Sequence, residues 1–334
     1  MSTPALPVRW IWAAGLMSWA AVGLMLGWAR RRGMLDLPGY RRSHRQPTPR
    51  GGGIGMMLVL LLWLPWIGWG RGLNAAVTSA LAAVALIGAW DDLAPRGVVV
   101  RLLVHLAAVT LAGGALLASG HASLWWLLLV VPCGVWSINL HNFMDGIDGL
   151  LAGHCLITGL VLAVLADAVR LPSVAALAAL LAAVCAGFLV FNWAPARIFM
   201  GDAGSGGCGL LVAVLALALV VCKPSLLWAV LALGSSFVVD ASLTLLRRMG
   251  RGRRWTQAHR EHLYQWQVRL GHGHARVTLA YLVWDSLIGG WLAWHRGPVP
   301  LGPLACLAVY LLAMLLWLGC KIRSLRQRRQ REIS

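Results

Sequence analysis

The chain has 334 residues, of which 59% are hydrophobic and only 12% are charged, and its formal net charge is +18. Soluble domains carry about 25% charged residues, so this composition excludes an ordinary soluble protein. The positive charge does not indicate a nucleic-acid partner, because the arginines lie in short segments between long apolar runs. There they report membrane orientation and suit contact with anionic membrane lipids.

Apolar runs long enough to cross a bilayer as helices follow one another along the whole chain. Helices are expected because lipid leaves an open chain no other way to satisfy its backbone. The first run is too long for the core of a cleavable signal peptide. We predict an all-α, polytopic membrane protein, a single domain over 1–334 with a basic tail at 321–334. About eleven spans are expected, at 8–29, 53–70, 73–90, 101–119, 123–140, 150–169, 173–192, 207–222, 225–244, 276–294 and 300–320.

The basic residues predict the orientation of these spans, because loops rich in Lys and Arg stay in the cytoplasm. With a periplasmic N-terminus, the loop after the first span, the loop near 245–276 and the C-terminal tail are all cytoplasmic. All but five of the 29 basic residues then lie inside. The five on the opposite side are Arg9, Arg71, Arg170, Lys223 and Arg296.

The acidic residues point to a site on the cytoplasmic face. The chain has only 11 Asp and Glu, yet several fall at or near span ends on this one side. Carboxylates near a bilayer are costly unless they have a function. The five that share this face come from three separate loops and are Asp91, Asp92, Asp145, Asp148 and Asp202.

Two of these loops carry distinct patterns. Asp91 and Asp92 end a long apolar run, and adjacent carboxylates there can hold a cation or share a proton; an exposed acidic helix end is the alternative. The segment 139–150, Asn-Leu-His-Asn-Phe-Met-Asp-Gly-Ile-Asp-Gly-Leu, places Asp145 and Asp148 on one face if it forms a helical turn. A polar turn with helix caps is the alternative, and an EF-hand is excluded because its loop spacing is missing.

The third acidic loop is a glycine-rich stretch before another span. It reads Phe-Met-Gly-Asp-Ala-Gly-Ser-Gly over 199–206 and contains Asp202. The backbone N–H groups of 204–206 could surround an anion at a helix N-terminus. The stretch is not a Walker loop, because the Gly-Lys-Ser/Thr ending is absent. An ordinary glycine-rich turn is the alternative.

The last cytoplasmic loop contains His-Arg-Glu-His-Leu-Tyr-Gln over 259–265. His259, Arg260 and His262 are suited to binding phosphate oxygens, Arg260 as a bidentate donor. Zinc is disfavoured because the two histidines are three apart and no third ligand is evident. A loop on the same face, Pro-Thr-Pro-Arg-Gly-Gly-Gly over 47–53, leads into the second span.

Two further groups of residues receive no chemical role from the sequence. Asp240 and Asp285 fall within predicted spans, where a polar network between helices is the expected role. The seven cysteines contain no Cys-x-x-Cys pair and are interpreted as small packing residues.

Together these motifs resemble the polyprenyl-phosphate N-acetylhexosamine-1-phosphate transferases, glycosyltransferase family 4. The resemblance covers almost the whole chain, because the Pro-Thr-Pro-Arg-Gly-Gly loop, the Asp pair, the Asn-x-x-Asn-x-x-Asp-Gly-x-Asp-Gly segment, the Phe-Met-Gly-Asp-Ala-Gly-Ser segment and the His-Arg-x-His loop follow the family's order. It implies transfer of a sugar phosphate from a UDP-N-acetylhexosamine to undecaprenyl phosphate, with release of UMP. It also implies Mg²⁺, or Mn²⁺ in its place, a bacterial inner membrane location with the site facing the cytoplasm, and a possible homodimer.

The resemblance also implies roles for residues. Asp202, with Asn142, matches the metal-binding positions. Asp91 and Asp92 match the pair near the polyprenyl phosphate. The positions expected to be catalytic are Asp91, Asp92, Asp202, His259 and His262; those expected to bind substrate are Asn139, Asp145, Asp148, Phe199, Arg260, Arg50 and His44, with Phe199 stacking on uracil.

Departures from the peptidoglycan branch of the family bear on the substrate. The chain has His-Arg-Glu-His where phospho-N-acetylmuramoyl-pentapeptide transferase has three consecutive histidines. It also lacks that enzyme's lysine after the Asp pair. Both differences favour the branch that initiates O-antigen synthesis and leave the muramoyl-pentapeptide transferase as the alternative. A transporter is disfavoured, because transporters place their acids near the bilayer midplane and often show internal repeats.

Overall fold

The computed structural model describes residues 8–37, 46–94, 97–253, 259–295 and 302–333. These residues form α-helices and one short antiparallel sheet of two strands, β1 (Leu35–Asp36) and β2 (Thr48–Pro49). The helices are α1 (Val8–Arg32), α2 (Gly52–Trp63), α3 (Arg71–Leu93), α4 (Val98–Ser119), α5 (Leu127–Phe143), α6 (Leu150–Ala168), α7 (Pro172–Asn192), α8 (Asp202–Cys222), α9 (Leu227–Leu233), α10 (Ser235–Met249), α11 (Leu263–Arg269), α12 (His274–Trp294) and α13 (Pro303–Ile333).

The predicted all-α, polytopic membrane fold is confirmed, although the predicted number of spans is too high. Among the described residues, nine helices are long and apolar enough to cross a membrane, or up to ten if a bent pair is one span. The predicted span 53–70 is instead α2, with 12 residues, and a short 3-10 turn containing Pro65. Twelve residues rise about 18 Å, short of a hydrocarbon core of about 30 Å.

The predicted span 225–244 is a bent pair of helices. The segment Pro224–Leu233 and the helix α10 meet at Gly234 with an angle of 67°. Because of this bend, α10 runs in a different direction from Pro224–Leu233. It leads into the last cytoplasmic loop of the predicted topology.

Small residues let α8 approach its neighbours closely, as is common between membrane helices. A Cβ on Gly88 of α3 would lie 2.5 Å from the backbone of Asp202, and one on Gly53 of α2 would collide with the backbone of Gly204. Residues 203–206 of the glycine-rich stretch therefore belong to the buried start of α8. It is a helix-packing surface, which differs from the anion-binding loop considered from the sequence.

The two acids predicted to lie within spans do form buried polar networks. Asp285 on α12 is fully buried and pairs with His154 on α6, with 2.8 Å between Oδ2 and Nδ1. The Ser236 hydroxyl donates to its other oxygen at 2.6 Å. These bonds join α6, α10 and α12 inside the bundle. Asp240 has a comparable but larger set of partners, described below.

Candidate active site

A polar cavity of about 280 Å³ lies where α3 and α5 end and α8 begins. Four of the five acids predicted to share a site line this cavity directly. Its lining residues are Asp36, Arg50, Asp92, Asn142, Asp145, Gly146, Ile147, Asp148, Asn192, Phe199, Gly201, Asp202, Gln265 and His274. The fifth acid, Asp91, is joined to Asp202 by a shared arginine. The tertiary structure thus brings together carboxylates from three distant segments.

Arg101 connects the two halves of the acidic cluster. One guanidinium nitrogen, Nη1, lies 2.9 Å from Asp91 Oδ2 and 2.7 Å from Asp202 Oδ2. All three side chains keep partial solvent exposure. The sequence assigned no role to Arg101, because nothing in its spacing shows that the start of α4 reaches α8.

Asp92 has a different environment from its neighbour Asp91. Its side chain is buried and accepts the backbone N–H groups of Asp202 and Ala203 at 3.2 and 3.4 Å. Asp92 thereby caps the N-terminus of α8, where a negative charge is stabilised by the helix dipole. Gly201 makes this approach possible: its φ is +80°, and a Cβ there would lie 2.5 Å from Asp92 Oδ2. Asp92 therefore fixes the helix end that carries Asp202.

Asn142 lies beside Asp202 on the opposite side from Arg101. Its Nδ2 donates to Asp202 Oδ1 at 2.8 Å and to the Ser205 hydroxyl at 3.1 Å. A cation between the two residues would be met by the amide oxygen of Asn142, with the amide reversed.

The chemistry of these donors fits a hard divalent cation. Asp91, Asp92, Asp145 and Asp202 converge, and Mg²⁺ binds through one or two carboxylates and further oxygen ligands. Asp202 and Asn142 are the pair that could hold such an ion, with Asp91 joined to the same cluster through Arg101.

Asp145 and Asp148 lie in the loop between α5 and α6 and not on a helical turn, which corrects the helical interpretation. Both still line the cavity, because Gly149, with φ +75°, turns the chain into α6. Burial and the nearby Asp202 carboxylate raise the pKa of Asp145 well above its usual range.

The Asp148 carboxylate is engaged by protein groups. Its Oδ2 accepts the Ala196 N–H at 3.1 Å, and its Oδ1 lies 3.0 Å from His274 Nδ1. The backbone carbonyl of Asp148 accepts the Thr278 hydroxyl at 2.8 Å. Asp148 therefore anchors the start of α12 against the cavity wall.

The sequence motif 47–53 forms the wall around Phe199. Arg50 pairs with Phe199 as a parallel β-bridge, and Phe199 N–H donates to the Pro49 carbonyl at 2.8 Å. The N–H groups of Gly52 and Gly53 donate to the carbonyls of Phe199 and Met200. These bonds hold the aromatic side chain of Phe199 and the Arg50 side chain at the same cavity.

Asp240 fixes the end of the last loop, where α11 begins. Its buried carboxylate accepts the Leu263 and Tyr264 N–H groups at 2.7 and 3.3 Å, which caps α11. It also accepts Tyr281 Oη–H, Trp317 Nε1–H and the Thr244 hydroxyl at 2.7, 2.9 and 3.3 Å. Five donors from α10, α11, α12 and α13 therefore meet at one side chain.

The docked α11 presents its side chains to the loop that carries Asp145. Tyr264 Oη–H donates to the Phe143 carbonyl at 2.8 Å, and a Cβ on Gly146 would collide with that hydroxyl. Gln265 donates to Tyr264 Oη at 3.1 Å and lines the cavity. The side-chain oxygen of Gln265 is buried and has no hydrogen-bond partner among the described residues.

The His-Arg-Glu-His segment itself lies beside the cavity and does not line it. The His262 ring stacks on Phe143, with centroids 6.1 Å apart, and lies 4.9 Å from the ring of His259. Burial lowers the pKa of His259 to about 4, and burial also lowers the pKa of His262. Both shifts favour the neutral imidazole, and the fixed positive charge of the segment is that of Arg260.

Glu261 holds this segment in place from the other side. It forms ion pairs with Arg248 and with Arg253, the latter at 2.9 Å. The Glu261 carbonyl accepts Lys321 Nζ–H at 2.8 Å. Burial alone would raise the pKa of Glu261, but the two guanidinium groups outweigh it and lower the pKa below its usual range.

One other predicted position, Asn139, lies away from the cavity. Asn139 donates to the Val135 carbonyl at 2.8 Å within α5 and is not among the residues that line the cavity. His44 lies outside the described residues. Conversely, Asp36, Asn192 and His274 line the cavity, and nothing about their positions in the sequence distinguished them.

The chain is similar to known proteins along most of its length. The family model described as glycosyl transferase family 4 matches residues 74–220. A decaprenyl-phosphate N-acetylglucosaminephosphotransferase of Mycolicibacterium smegmatis is 29% identical, over 84% of this chain and 81% of that protein. A phospho-N-acetylmuramoyl-pentapeptide-transferase of Synechococcus sp. (strain JA-2-3B'a(2-13)) is 33% identical, over 79% of this chain and 88% of that protein.

The fold and the site define a polytopic membrane protein with an acidic, cation-compatible cavity at one end of its helix bundle. Combined with these similarities, they show that the chain belongs to glycosyl transferase family 4, the superfamily of polyprenyl-phosphate N-acetylhexosamine-1-phosphate transferases.

Proposed function

We propose that this protein transfers an N-acetylhexosamine-1-phosphate from a UDP-sugar to undecaprenyl phosphate, giving undecaprenyl-diphospho-sugar and UMP. The observation that carries the proposal is the polar cluster of Asn142 and Asp202, which line the cavity, with Arg101 and Asp91 joined to Asp202 by ion pairs. The names of the relatives, which act on polyprenyl phosphate or transfer a phospho-sugar, support the same reaction class.

The reaction joins two anions, so the site must offset their repulsion. Asp202 and Asn142 are proposed to hold Mg²⁺ with the donor diphosphate. When bound, the ion neutralises charge that develops on the departing nucleoside monophosphate. Arg101 and Arg50 supply fixed positive charge close to the same carboxylates, and Phe199 offers its ring to the uracil.

The acceptor phosphate needs little activation, because its attacking oxygen is already ionised at neutral pH. We propose that this oxygen attacks the β-phosphorus in line, forming one P–O bond while the bond to the UMP phosphate breaks. Asp91 either orients the acceptor phosphate through Arg101 or takes a residual proton from that phosphate. A covalent aspartyl phosphate is the rival route, and isolation of a phosphorylated Asp after rapid quench would refute direct attack.

An apolar cavity of about 520 Å³ between α4, α5, α8 and α9 supports binding of the prenyl chain. Its lining includes Gly134 and Ser137 on α5. Ser137 precedes Asn142 by five residues, which is about 7.5 Å along a helix. A prenyl chain in this cavity would thus begin close to the acidic cluster. We place the site on the cytoplasmic face of a bacterial inner membrane, as the distribution of arginines predicts.

The decisive assay uses purified protein, undecaprenyl phosphate, Mg²⁺ and a panel of radiolabelled UDP-N-acetylhexosamines, with UDP-muramoyl-pentapeptide as a further donor. Transfer of label to the organic phase with release of UMP establishes the reaction and identifies the sugar. An O-antigen-type role requires an N-acetylhexosamine donor, and transfer only from the muramoyl-pentapeptide donor would assign the protein to the peptidoglycan branch. Absence of transfer from every donor by folded protein would refute the proposal.

A further inference from the structure

One of the side chains that line the polar cavity, that of Gln265 in α11, has a hydrogen-bonding atom left over. Gln265 is only 9% exposed. Its Nε2 donates to Tyr264 Oη at 3.1 Å, while its Oε1 is buried and has no hydrogen-bond partner among the described residues. A buried acceptor without a donor is unfavourable. The oxygen is therefore suited to a donor that a ligand brings into the cavity.

The neighbouring tyrosine determines which way the Gln265 amide faces. Tyr264 is fully buried, and its hydroxyl donates to the Phe143 carbonyl at 2.8 Å. Because a carbonyl can only accept, the hydroxyl proton is used there, and Tyr264 Oη must accept from its second partner. That partner has to be the amide nitrogen of Gln265, since the amide oxygen has no proton to donate. The hydrogen bonds of the protein thus fix the oxygen as the unpaired atom.

The position of α11 indicates which part of a nucleotide sugar meets this oxygen. In the proposed function, Phe199 contacts the uracil, and Asp202 holds the metal ion with the diphosphate. Gln265 comes from a different element, which packs on the loop after α5: a Cβ on Gly146 would collide with the Tyr264 hydroxyl. The sugar is the part of the donor that is left without a contact. We therefore place the sugar at Gln265, a step that rests on the proposed function.

The surroundings of the oxygen select the group on the sugar. The adjacent Tyr264 hydroxyl has its proton on Phe143 and accepts from Gln265, so it has no proton for a ligand. A sugar hydroxyl at Oε1 would need a further donor for its own lone pairs, whereas an amide N–H donates and has none. In a trans amide the carbonyl oxygen lies on the side opposite the N–H. Ile147, which lines the same cavity, is apolar and suits an acetyl methyl group.

We propose that Gln265 determines specificity for an N-acetylated donor, because its Oε1 accepts a hydrogen bond from the 2-acetamido N–H of the UDP-sugar. Tyr264 is the positioning residue, which holds the amide so that the oxygen and not the nitrogen meets the sugar. The Asp240 carboxylate, which caps α11, holds both residues in place.

The test is a binding measurement, so it does not depend on turnover. Full-length protein in detergent with Mg²⁺ is titrated by calorimetry with UDP-N-acetylglucosamine and UDP-N-acetylgalactosamine, each compared with its 2-deoxy analogue, which lacks the amide. The variant Q265M removes the oxygen and keeps a side chain of similar length. The matched control Q267M makes the same change in the same helix, where Gln267 donates to the Ser324 hydroxyl and does not line the cavity.

We expect Q265M to bind the N-acetylated sugar about 5- to 150-fold more weakly than the wild type, because the buried N–H then has no acceptor. Its affinity for the 2-deoxy analogue should stay within about twofold of wild type, and Q267M should bind both ligands as the wild type does. A structural role alone would weaken both ligands equally, and that result would overturn the inference. Unchanged binding of the N-acetylated sugar by Q265M would also overturn it.

If Q265M does not fold, Q265N decides the question, because it shortens the side chain by one carbon and withdraws the oxygen. The preference for the N-acetylated ligand over its 2-deoxy analogue should then fall, and an unchanged preference would overturn the inference. A wild type that binds none of the four nucleotides would overturn both this inference and the proposed function. A wild type that binds them and releases UMP, with the preference unmoved in the Gln265 variants, would overturn this inference alone.

Discussion

Replacing Asp240 with Asn tests how the last loop is positioned, and it leaves the residues that line the cavity unchanged. Asp240 accepts five hydrogen bonds, and an amide can accept on one side only. The amide oxygen is best placed at the Oδ1 position, because the Leu263 and Trp317 N–H groups that meet it there can only donate. The Nδ2 group then faces Tyr281, whose hydroxyl can reverse and accept, and the Tyr264 N–H, which loses its partner.

The magnitude follows from that single lost partner. A buried N–H left without an acceptor costs about 1–3 kcal/mol. If this cost falls on the docked position of α11, the population of the docked state decreases by about 5- to 150-fold relative to the undocked state. Gln265, which lines the cavity, moves with α11. We therefore expect kcat/KM for the UDP-sugar to fall in D240N, by at most that factor.

The assay measures UMP release, first with the donor concentration varied at saturating acceptor. It is then repeated with the acceptor concentration varied at saturating donor. The KM for the donor should rise while the KM for undecaprenyl phosphate changes little, because Arg101 ties Asp91 to Asp202 on α8. The control is D167N, the same substitution at an exposed residue near the end of α6. Donor kinetics within twofold of wild type in folded D240N, or an equal loss for both substrates, would refute this reasoning.

Four further outcomes are expected. D202N should lose Mg²⁺ binding, measured by calorimetry, and reduce turnover by at least about 10²-fold; D167N should retain both. G201A should destabilise the protein by several kcal/mol or prevent folding, because its Cβ would enter the Asp92 carboxylate and its φ is +80°; a wild-type melting temperature would contradict this. E261Q should lower stability above about pH 5, and its difference from wild type should vanish as pH falls through the depressed pKa of Glu261; a difference that grows on acidification would contradict the ion pairs. His259 should show neutral imidazole nitrogen shifts by NMR at pH 7 without substrate; an imidazolium signal would exclude the buried environment described.

The sequence by itself predicted the class of fold and identified most of the acidic residues that line the cavity. Apolar runs of bilayer length leave only helices, and this physical constraint is local, so the spans were predicted without tertiary information. The positions of Asp92, Asp145, Asp148 and Asp202 at or near span ends also follow from the pattern of apolar runs along the chain. All four line the cavity, as their shared membrane face indicated.

Only the tertiary structure decided what each acid contacts. Asp91 and Asp92 are adjacent in the chain, yet one meets Arg101 and the other caps α8, because successive residues of a helix point in different directions. Asp148 is engaged by Ala196 and His274, and Asp240 collects donors from four helices. The same holds for Cys155, Cys185 and Cys208, which are buried and meet inside the bundle. Such contacts join residues far apart in the chain, and hydrophobic patterning along one chain carries no information on which helix faces which.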